Sequence, residues 1–337
     1  MKKITQNNEI ENEIEGILGR KSIIELTPIK IKKKDTSDKI CYFFDTDDNA
    51  SPFDINMAYD AGFDIVVPIS RMTADEVPKL VQDAIFSRKP KAPTTFFIGG
   101  SNVKEGEKIA KRVIESLVPP FECPVIIDPR GSHTTASAVV AKTLYDAKNR
   151  HKFSDLKGQK VVIYGAGPVA RIAAIIAARE GLNTFIVETW DKSNEEFIKN
   201  LAKELTKEAG EDTTEIKGVF APEKEQRYDV AEDAFIIWAL AAAGVEILSS
   251  DQMEKLQGKK IVVDINLVPP YGIEGLRPKH DNEEIYSGIF GIGALALGRL
   301  KANSEGEILK EATKTKGTKV FDYNYAFEVA KKLLSKI

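Results

Sequence analysis

From residue 39 onward, short apolar runs alternate with amphipathic stretches, and the two periods are easy to separate. Runs of period two or continuous apolar character predict strands at 40–45, 64–69, 94–98 and 124–128. Between them, apolar positions spaced three and four apart predict helices at 53–61, opened by Ser51-Pro52, and at 77–86 and 104–117. Such alternation implies a mainly parallel sheet with helices on its faces. A long helical pattern at 134–148 and a polar connector at 151–158 lead into a second series. Its strands are expected at 160–164, 184–188, 234–240 and 260–265, and its helices at 169–180, 193–209 and 245–257. After Pro269-Pro270 comes a glycine-rich run, 288–298, and then polar sequence that ends in a helix at 325–337. Before residue 39, Ile10, Ile14, Ile17 and Leu18 share one helical face in a segment rich in Lys, Glu and Asn. That segment is expected to be an appendage that clasps the body or a partner subunit.

The expected fold class is α/β with two domains, and a length of 337 residues suits two units of about 150 residues each. The boundaries read as an extension at 1–38, a first α/β domain at 39–130 joined by about 290–337, and a second at 131–289. A formal net charge of −3 gives no basic field to attract nucleic acid or an anionic membrane. Cys41 and Cys123 are the only cysteines and form no C-x-x-C pair, so neither a disulfide framework nor a cysteine-rich metal site is expected. Lys2 and Lys3 are not followed by the apolar run of a signal peptide, and no stretch approaches about 18 uninterrupted apolar residues. A cytoplasmic protein acting on a small soluble substrate is the expectation.

The chemistry concentrates at the start of the second unit. Val161-Val162-Ile163-Tyr164 is an apolar strand, and Gly165-Ala166-Gly167-Pro168-Val169-Ala170 follows it as G-x-G-x-x-A before an apolar helix. The order strand, glycine turn, helix is what a dinucleotide-binding Rossmann fingerprint needs. Gly165 permits the tight turn, Gly167 lets the backbone approach a pyrophosphate, and Ala170 lets helix and strand pack closely. The pyrophosphate then meets the positive end of the helix. Glu188 ends the next strand, where a carboxylate accepts from both ribose hydroxyls and repels a 2′-phosphate. NAD is therefore the expected cofactor, and Lys192 four residues on leaves NADP open.

A second constellation lies in the first unit. Phe44-Asp45-Thr46-Asp47-Asp48 ends a strand in carboxylates, and Asp128-Pro129-Arg130-Gly131-Ser132-His133-Thr134-Thr135 ends another before a helix. Ligands bind open α/β sheets at the carboxyl ends of strands, so both loops are candidate walls of one cleft. No metal is expected, because the spacing is not that of an EF-hand and no His completes a His/carboxylate set. Helix capping by Asp, Ser and His133 is the other reading of the same residues. The absence of a G-x-S-x-G turn argues against a serine hydrolase.

With these runs on the page, the chain resembles the bacterial NAD(P)-dependent methylene-tetrahydromethanopterin and methylene-tetrahydrofolate dehydrogenases. The resemblance rests on Phe44-Asp45-Thr46-Asp47, Phe53-Asp54, Tyr59-Asp60, Ser87-Arg88, Phe97-Ile98-Gly99-Gly100 and Gly131 to Ala136. Further on it rests on Gly165 to Val169, Asp264-Ile265-Asn266 with Pro269-Pro270, and Gly291-Ile292-Gly293. It implies a pterin-side domain packed against a Rossmann domain, and hydride transfer from a methylene carbon to nicotinamide. Asp45, Asp128 and His133 are then the expected catalytic groups, and Asp47, Ser132, Thr134 and Thr135 the expected substrate contacts. Gly165, Ala166, Gly167, Pro168, Val169, Glu188, Asn266 and Gly291 are the expected cofactor contacts. The carrier is expected to be tetrahydromethanopterin or tetrahydrofolate, and the protein a homo-oligomer.

Two positions depart from the family. Members preferring NADP carry a basic pair after the second Rossmann strand, whereas this chain reads Glu188-Thr189-Trp190, in keeping with NAD. Better-known members have an active-site lysine after the Gly-Ile-Gly run, and an ungapped match puts Ala296 there, with Arg299 and Lys301 nearby. A lost cation would alter the rate or the substrate. A different Rossmann oxidoreductase, such as an imine or enamine reductase, and a nucleotide-binding sensor with retired catalysis are the competing readings.

Overall fold

The apolar run ICYFFD forms β1 (Ile40–Asp45), with Phe43 and Phe44 buried on opposite faces. In the computed structural model, which describes residues 38–336, β1 lies inside a five-stranded sheet. The other strands are β2 (Ile65–Ile69), β3 (Thr94–Gly99), β4 (Val125–Ile127) and β12 (Val320–Phe321). Their order is β12-β4-β3-β1-β2, and every pairing is parallel. Helices α1 (Pro52–Asp60), α2 (Val77–Phe86) and α3 (Val103–Ser116) make the crossovers. Parallel strands covered on both faces are apolar throughout, and β3 is buried at all six positions. Stacking of Phe43 on Phe97, with centroids 4.9 Å apart, adds on the order of 1 kcal/mol beyond area burial.

The second sheet has seven strands in the order β10-β11-β9-β8-β5-β6-β7. Its parallel part comprises β5 (Lys160–Tyr164), β6 (Asn183–Glu188), β7 (Lys217–Phe220), β8 (Ile236–Ala239), β9 (Lys260–Asp264) and β11 (Ile289–Ile292). Only β10 (Asp281–Tyr286) runs antiparallel, against β11. This is the doubly wound dinucleotide order, with its switch point between β5 and β8. Its helices are α5 (Pro168–Arg179), α6 (Glu195–Ala209), α7 (Lys224–Ala231) and the short α8 (Ser250–Lys255). Both sheets belong to one compact unit.

Three helices tie the sheets together. α4 (Ser132–Asn149) leaves the first sheet after β4 and packs against α5, α9 (Ala294–Ala312) and α10 (Tyr323–Leu334). Its middle, Ala136 to Lys142, is buried without interruption, and the Lys142 ammonium pairs with Asp146 at 2.9 Å and Asp281 at 2.6 Å. Burying such charges is tolerable only because each has a partner. α9 starts directly after β11 and returns the chain to the first sheet, against α1. No helix among the described residues is long and apolar enough to cross a membrane.

The helix and strand series up to residue 209 falls where the patterning puts it. Later the differences grow. The helix expected at 245–257 shrinks to α8, because Ile247 donates to the Gly272 carbonyl at 2.8 Å and Leu248 bridges Ile273, which holds that segment extended. A capping box of Ser249 and Gln252 then starts the helix late. The 19-residue α9 was expected as polar, glycine-rich sequence, yet Leu297, Leu300, Ser304 and Ile308 form its buried stripe. The helix expected from Ile10 to Leu18 lies outside the described residues.

Candidate active site

The switch point of the first sheet lies between β1 and β3, and their loops are bonded together there. Asp47 Oδ1 accepts from the Ser101 N–H at 3.0 Å, and Thr46 Oγ1 from the Asn102 N–H at 3.1 Å. Gly100 has φ +90°, and a Cβ on it would lie 2.2 Å from Thr46 Oγ1, so only glycine allows this closeness. Asp45 sits fully buried beneath the loop, its oxygens accepting from the N–H groups of Asp47 (2.8 Å) and Ser51 (3.1 Å). Both oxygens accept from backbone N–H groups and so hold the loop.

Asp128, at the end of β4, behaves differently. Its Oδ1 accepts from the N–H groups of His133 (2.8 Å) and Thr134 (3.2 Å), and its Oδ2 from the Thr134 hydroxyl at 2.6 Å. It thus caps α4 in trans, across the tight turn formed by Arg130 and Gly131, both at positive φ. Ser132 bonds the Pro129 carbonyl at 2.7 Å and is buried, so its hydroxyl is turned inward. Thr135 is half-buried one turn from Gly131. The fold thus places Asp128, Ser132, His133 and Thr134 side by side at one turn, with Ser132 and Thr134 bonded within it.

The His133 ring points elsewhere. It packs edge-on against Tyr323, centroids 5.5 Å apart, and lines a cleft of about 590 Å³ with Glu107, Glu208 and Asp322. Its Nδ1 is buried without a hydrogen-bond partner among the described residues, and burial lowers the imidazole below its ordinary pKa despite the surrounding carboxylates.

A buried cation does lie near the end of β4. Ala296 packs against the apolar core beside α4 and α5, whereas Lys301, farther along α9, reaches the end of β4. Its Nζ pairs with Glu305, lies 4.7 Å above the ring of Phe53, and comes against Gly131. Burial alone would lower the Lys301 ammonium, but Glu305, Asp128 and Asp54 outweigh it and hold the pKa above the ordinary lysine value. Burial also raises Asp54, and it pushes Glu305 up to about 8 against the pull of Lys301. Patterning missed this cluster because α9 was not read as a helix. The stripe from Leu297 to Ile308 was the signal that could have found it.

In the second sheet the fingerprint has the expected form. Gly165 has φ +114°, and a Cβ there would lie 2.8 Å from the backbone of Ala241, which faces it from the loop after β8. Gly167 is the N-cap of α5, with Pro168 at the first helical position, and nothing lies within 4 Å of where its Cβ would be. Open space before uncapped N–H groups fits a pyrophosphate. Ala166 accepts from Arg171 Nε at 2.7 Å, Val169 packs on the core, and Ala170 is fully buried. Glu188 ends β6 with Oε1 fixed by the Trp190 N–H at 2.9 Å. Asn266 follows β9, its N–H donating to Asp264 at 2.9 Å and its side-chain amide unpaired among the described residues. Gly291 sits within β11, and a Cβ there would lie 2.5 Å from Leu276 Cδ1, which accounts for a glycine at this position.

A doubly wound dinucleotide sheet joined by long helices to a second parallel sheet defines a Rossmann-type α/β protein built on two sheets. The fold is shared with the NAD-dependent malic enzyme of Thermotoga maritima, at TM-score 0.52 and 12% identity over 95% of this chain and 89% of that one. The malic enzyme of Entamoeba histolytica gives TM-score 0.50 and 14% identity over 98% and 78%. Residues 52–130 match the family model described as methylene-tetrahydromethanopterin dehydrogenase, N-terminal. Over 284 residues, 83% of the chain, the sequence is 35% identical to the NAD(P)-dependent methylenetetrahydromethanopterin dehydrogenase of Methylorubrum extorquens, covering 93% of that protein. The Bifunctional protein MdtA of the same organism is 29% identical over 309 residues, 88% of this chain and 99% of that one. The chain belongs to the methylene-tetrahydromethanopterin dehydrogenase family, and it is an NAD(P)-dependent oxidoreductase.

Proposed function

We propose that the protein catalyses the reversible NAD-dependent oxidation of methylene-tetrahydromethanopterin to the methenyl form. The observation that carries this reading is the Lys301 cluster: on the same helix as Ala296, the Lys301 ammonium pairs with Glu305, overlies the ring of Phe53, lies against Gly131 and feels the charge of Asp128. A retired sensor would have no need of a buried cation paired with Glu305 in the field of Asp128 and Asp54. When bound, the nicotinamide supplies the hydride acceptor for the methylene carbon.

The chain's own residues then have three tasks. Gly165, Gly167 and the N-terminus of α5 hold the pyrophosphate, and the free oxygen of Glu188 receives the adenosine ribose, which favours NAD over NADP. Asn266, at the carboxyl end of β9, orients the nicotinamide carboxamide through its unpaired amide. On the pterin side, Lys301 and Phe53 orient the ring system, while Asp128 and Asp54 balance the positive charge that develops as hydride leaves. Asp45 and Asp47 act one step back, by fixing the loop from which α1 and Phe53 begin. No proton leaves the carbon, so no general base is required.

The test mixes purified protein with NAD or NADP and with methylene-tetrahydromethanopterin or methylene-tetrahydrofolate, following reduced nicotinamide and methenyl product together. Turnover with the methanopterin carrier and a higher kcat/KM with NAD are expected. Tight NAD binding without turnover on either carrier would overturn the proposal.

A further inference from the structure

Glu305 stands one helical turn after Lys301 and is 1% exposed. Its Oε2 receives the Lys301 ammonium, but its Oε1 is buried with no donor among the described residues. An ionised carboxylate oxygen left in that position is costly, and such groups in native proteins have a reason. The reason lies on the neighbouring helix. Asp54 stands in the first turn of α1, which packs against α9 where Lys301 overlies the ring of Phe53, so its carboxyl is on the side of α1 that faces Glu305. Two carboxylates facing each other in a buried site resist ionising together at neutral pH, and one proton between them turns the orphan oxygen into a donor.

We infer that Asp54 and Glu305 form a carboxyl pair sharing a single proton, and that this pair positions the Lys301 ammonium toward Gly131 and Phe53. Every charged group facing Glu305 fits this arrangement: Lys301 from its own helix, Asp54 from α1, and Asp128 from the end of β4. With one proton in place, two negative charges face one positive charge. Loss of the proton adds a third negative charge one turn from Lys301 and draws the ammonium back toward Glu305. The direction agrees with burial pushing Glu305 up to about 8, so the change falls at mildly alkaline pH. Glu305 and Asp54 are positioning residues in this scheme, which rests on the reading of Lys301 as the pterin-side cation.

The test combines an infrared pH titration of the full-length protein without substrate with the pH profile of kcat/KM on methylene-tetrahydromethanopterin. In the native protein, a protonated-carboxyl band is expected at neutral pH that fades in step with an alkaline fall in kcat/KM. In Glu305→Gln, whose amide supplies the same donor without titrating, activity near neutrality stays within about threefold and the alkaline fall disappears. Glu305→Ala loses about tenfold or more, and Asp54→Asn, which also supplies a donor to its partner, keeps the pair's geometry and removes the band. Absence of the band at neutral pH, or an unchanged alkaline fall in Glu305→Gln, overturns the shared proton. Because the infrared titration needs no turnover, it separates this failure from that of the site reading, which undiminished turnover in Lys301→Ala would show.

Discussion

A Cβ placed on Gly131 would lie 3.1 Å from Cε of Lys301, so the start of α4 and the middle of α9 meet where one has no side chain and the other a cation. Gly131 also has φ +62°, which disfavours a side chain independently. Gly131→Ala is expected to push Lys301 aside and lower kcat by about ten- to a hundredfold, with cofactor affinity unchanged. Steady-state kinetics beside a titration with reduced nicotinamide checks both halves. A rise in the dissociation constant of the cofactor matching the loss of kcat would count against it.

The two candidate lysine positions make opposite predictions. Lys301→Ala should cost about a hundredfold or more in kcat, whereas Ala296→Lys should bring no gain, because Ala296 faces the apolar core. Burying a lysine there should lower Tm by several degrees instead. A large rise in activity in Ala296→Lys would show that Lys301 is not the cation of this site.

In the proposed reading, Glu188 sets the cofactor preference through its second carboxylate oxygen. Glu188→Ala is expected to raise the ratio of kcat/KM for NADP over NAD by about ten- to a hundredfold, since the repulsion toward a 2′-phosphate is removed along with the ribose contact. The ratio measured at fixed pterin concentration decides, and an unchanged ratio would shift the assignment to other residues of the β6 loop.

His133 gives a stability prediction with a definite sign. Burial depresses its folded pKa below the ordinary 6.5, so the unfolded chain takes up the proton more readily. The stability gained by keeping the ring neutral is present above about 6.5 and is lost as pH falls below it. Urea midpoints at about pH 5 and pH 7.5 should therefore differ less in His133→Gln than in the native protein. Equal differences would mean that the ring is not buried in solution.

Both thiols should be silent. Burial pushes the Cys41 thiol far above its ordinary range, and Cys123 up to about 12. A thiol reagent near neutral pH is expected to label neither in the native protein and both in denaturant. Rapid native labelling would indicate that the first sheet opens readily.

Most of the fold was legible because its signals are local. Six-residue apolar strands, Ser51-Pro52 before α1 and the glycine turn before α5 each declare themselves within a few residues. Of the site, the cofactor side and the Asp128–Thr134 turn were legible for the same reason. Lys301 was not, since Gly298 on the exposed side of α9 and Gly306 against Met57 of α1 dilute its helical signal, and only packing against α1 and α4 overrides their cost of about 1 kcal/mol each. At Gly291 the sequence marks a close approach without saying whether a ligand or a leucine is near. The inward face of Asp45 likewise depends on where the next loop folds, which spacing along the chain does not carry.

The first sheet closes with β12, whose Val320 and Phe321 pair with Val125 and Ile126. That edge is contributed by a segment nearly 200 residues downstream of β4, so a chain emerging from the ribosome exposes the open side of its first sheet until Phe321 has been made. The aggregation-prone interval in synthesis thus belongs to the amino-terminal lobe, while the dinucleotide lobe, contiguous from β5 to β11, can complete itself earlier.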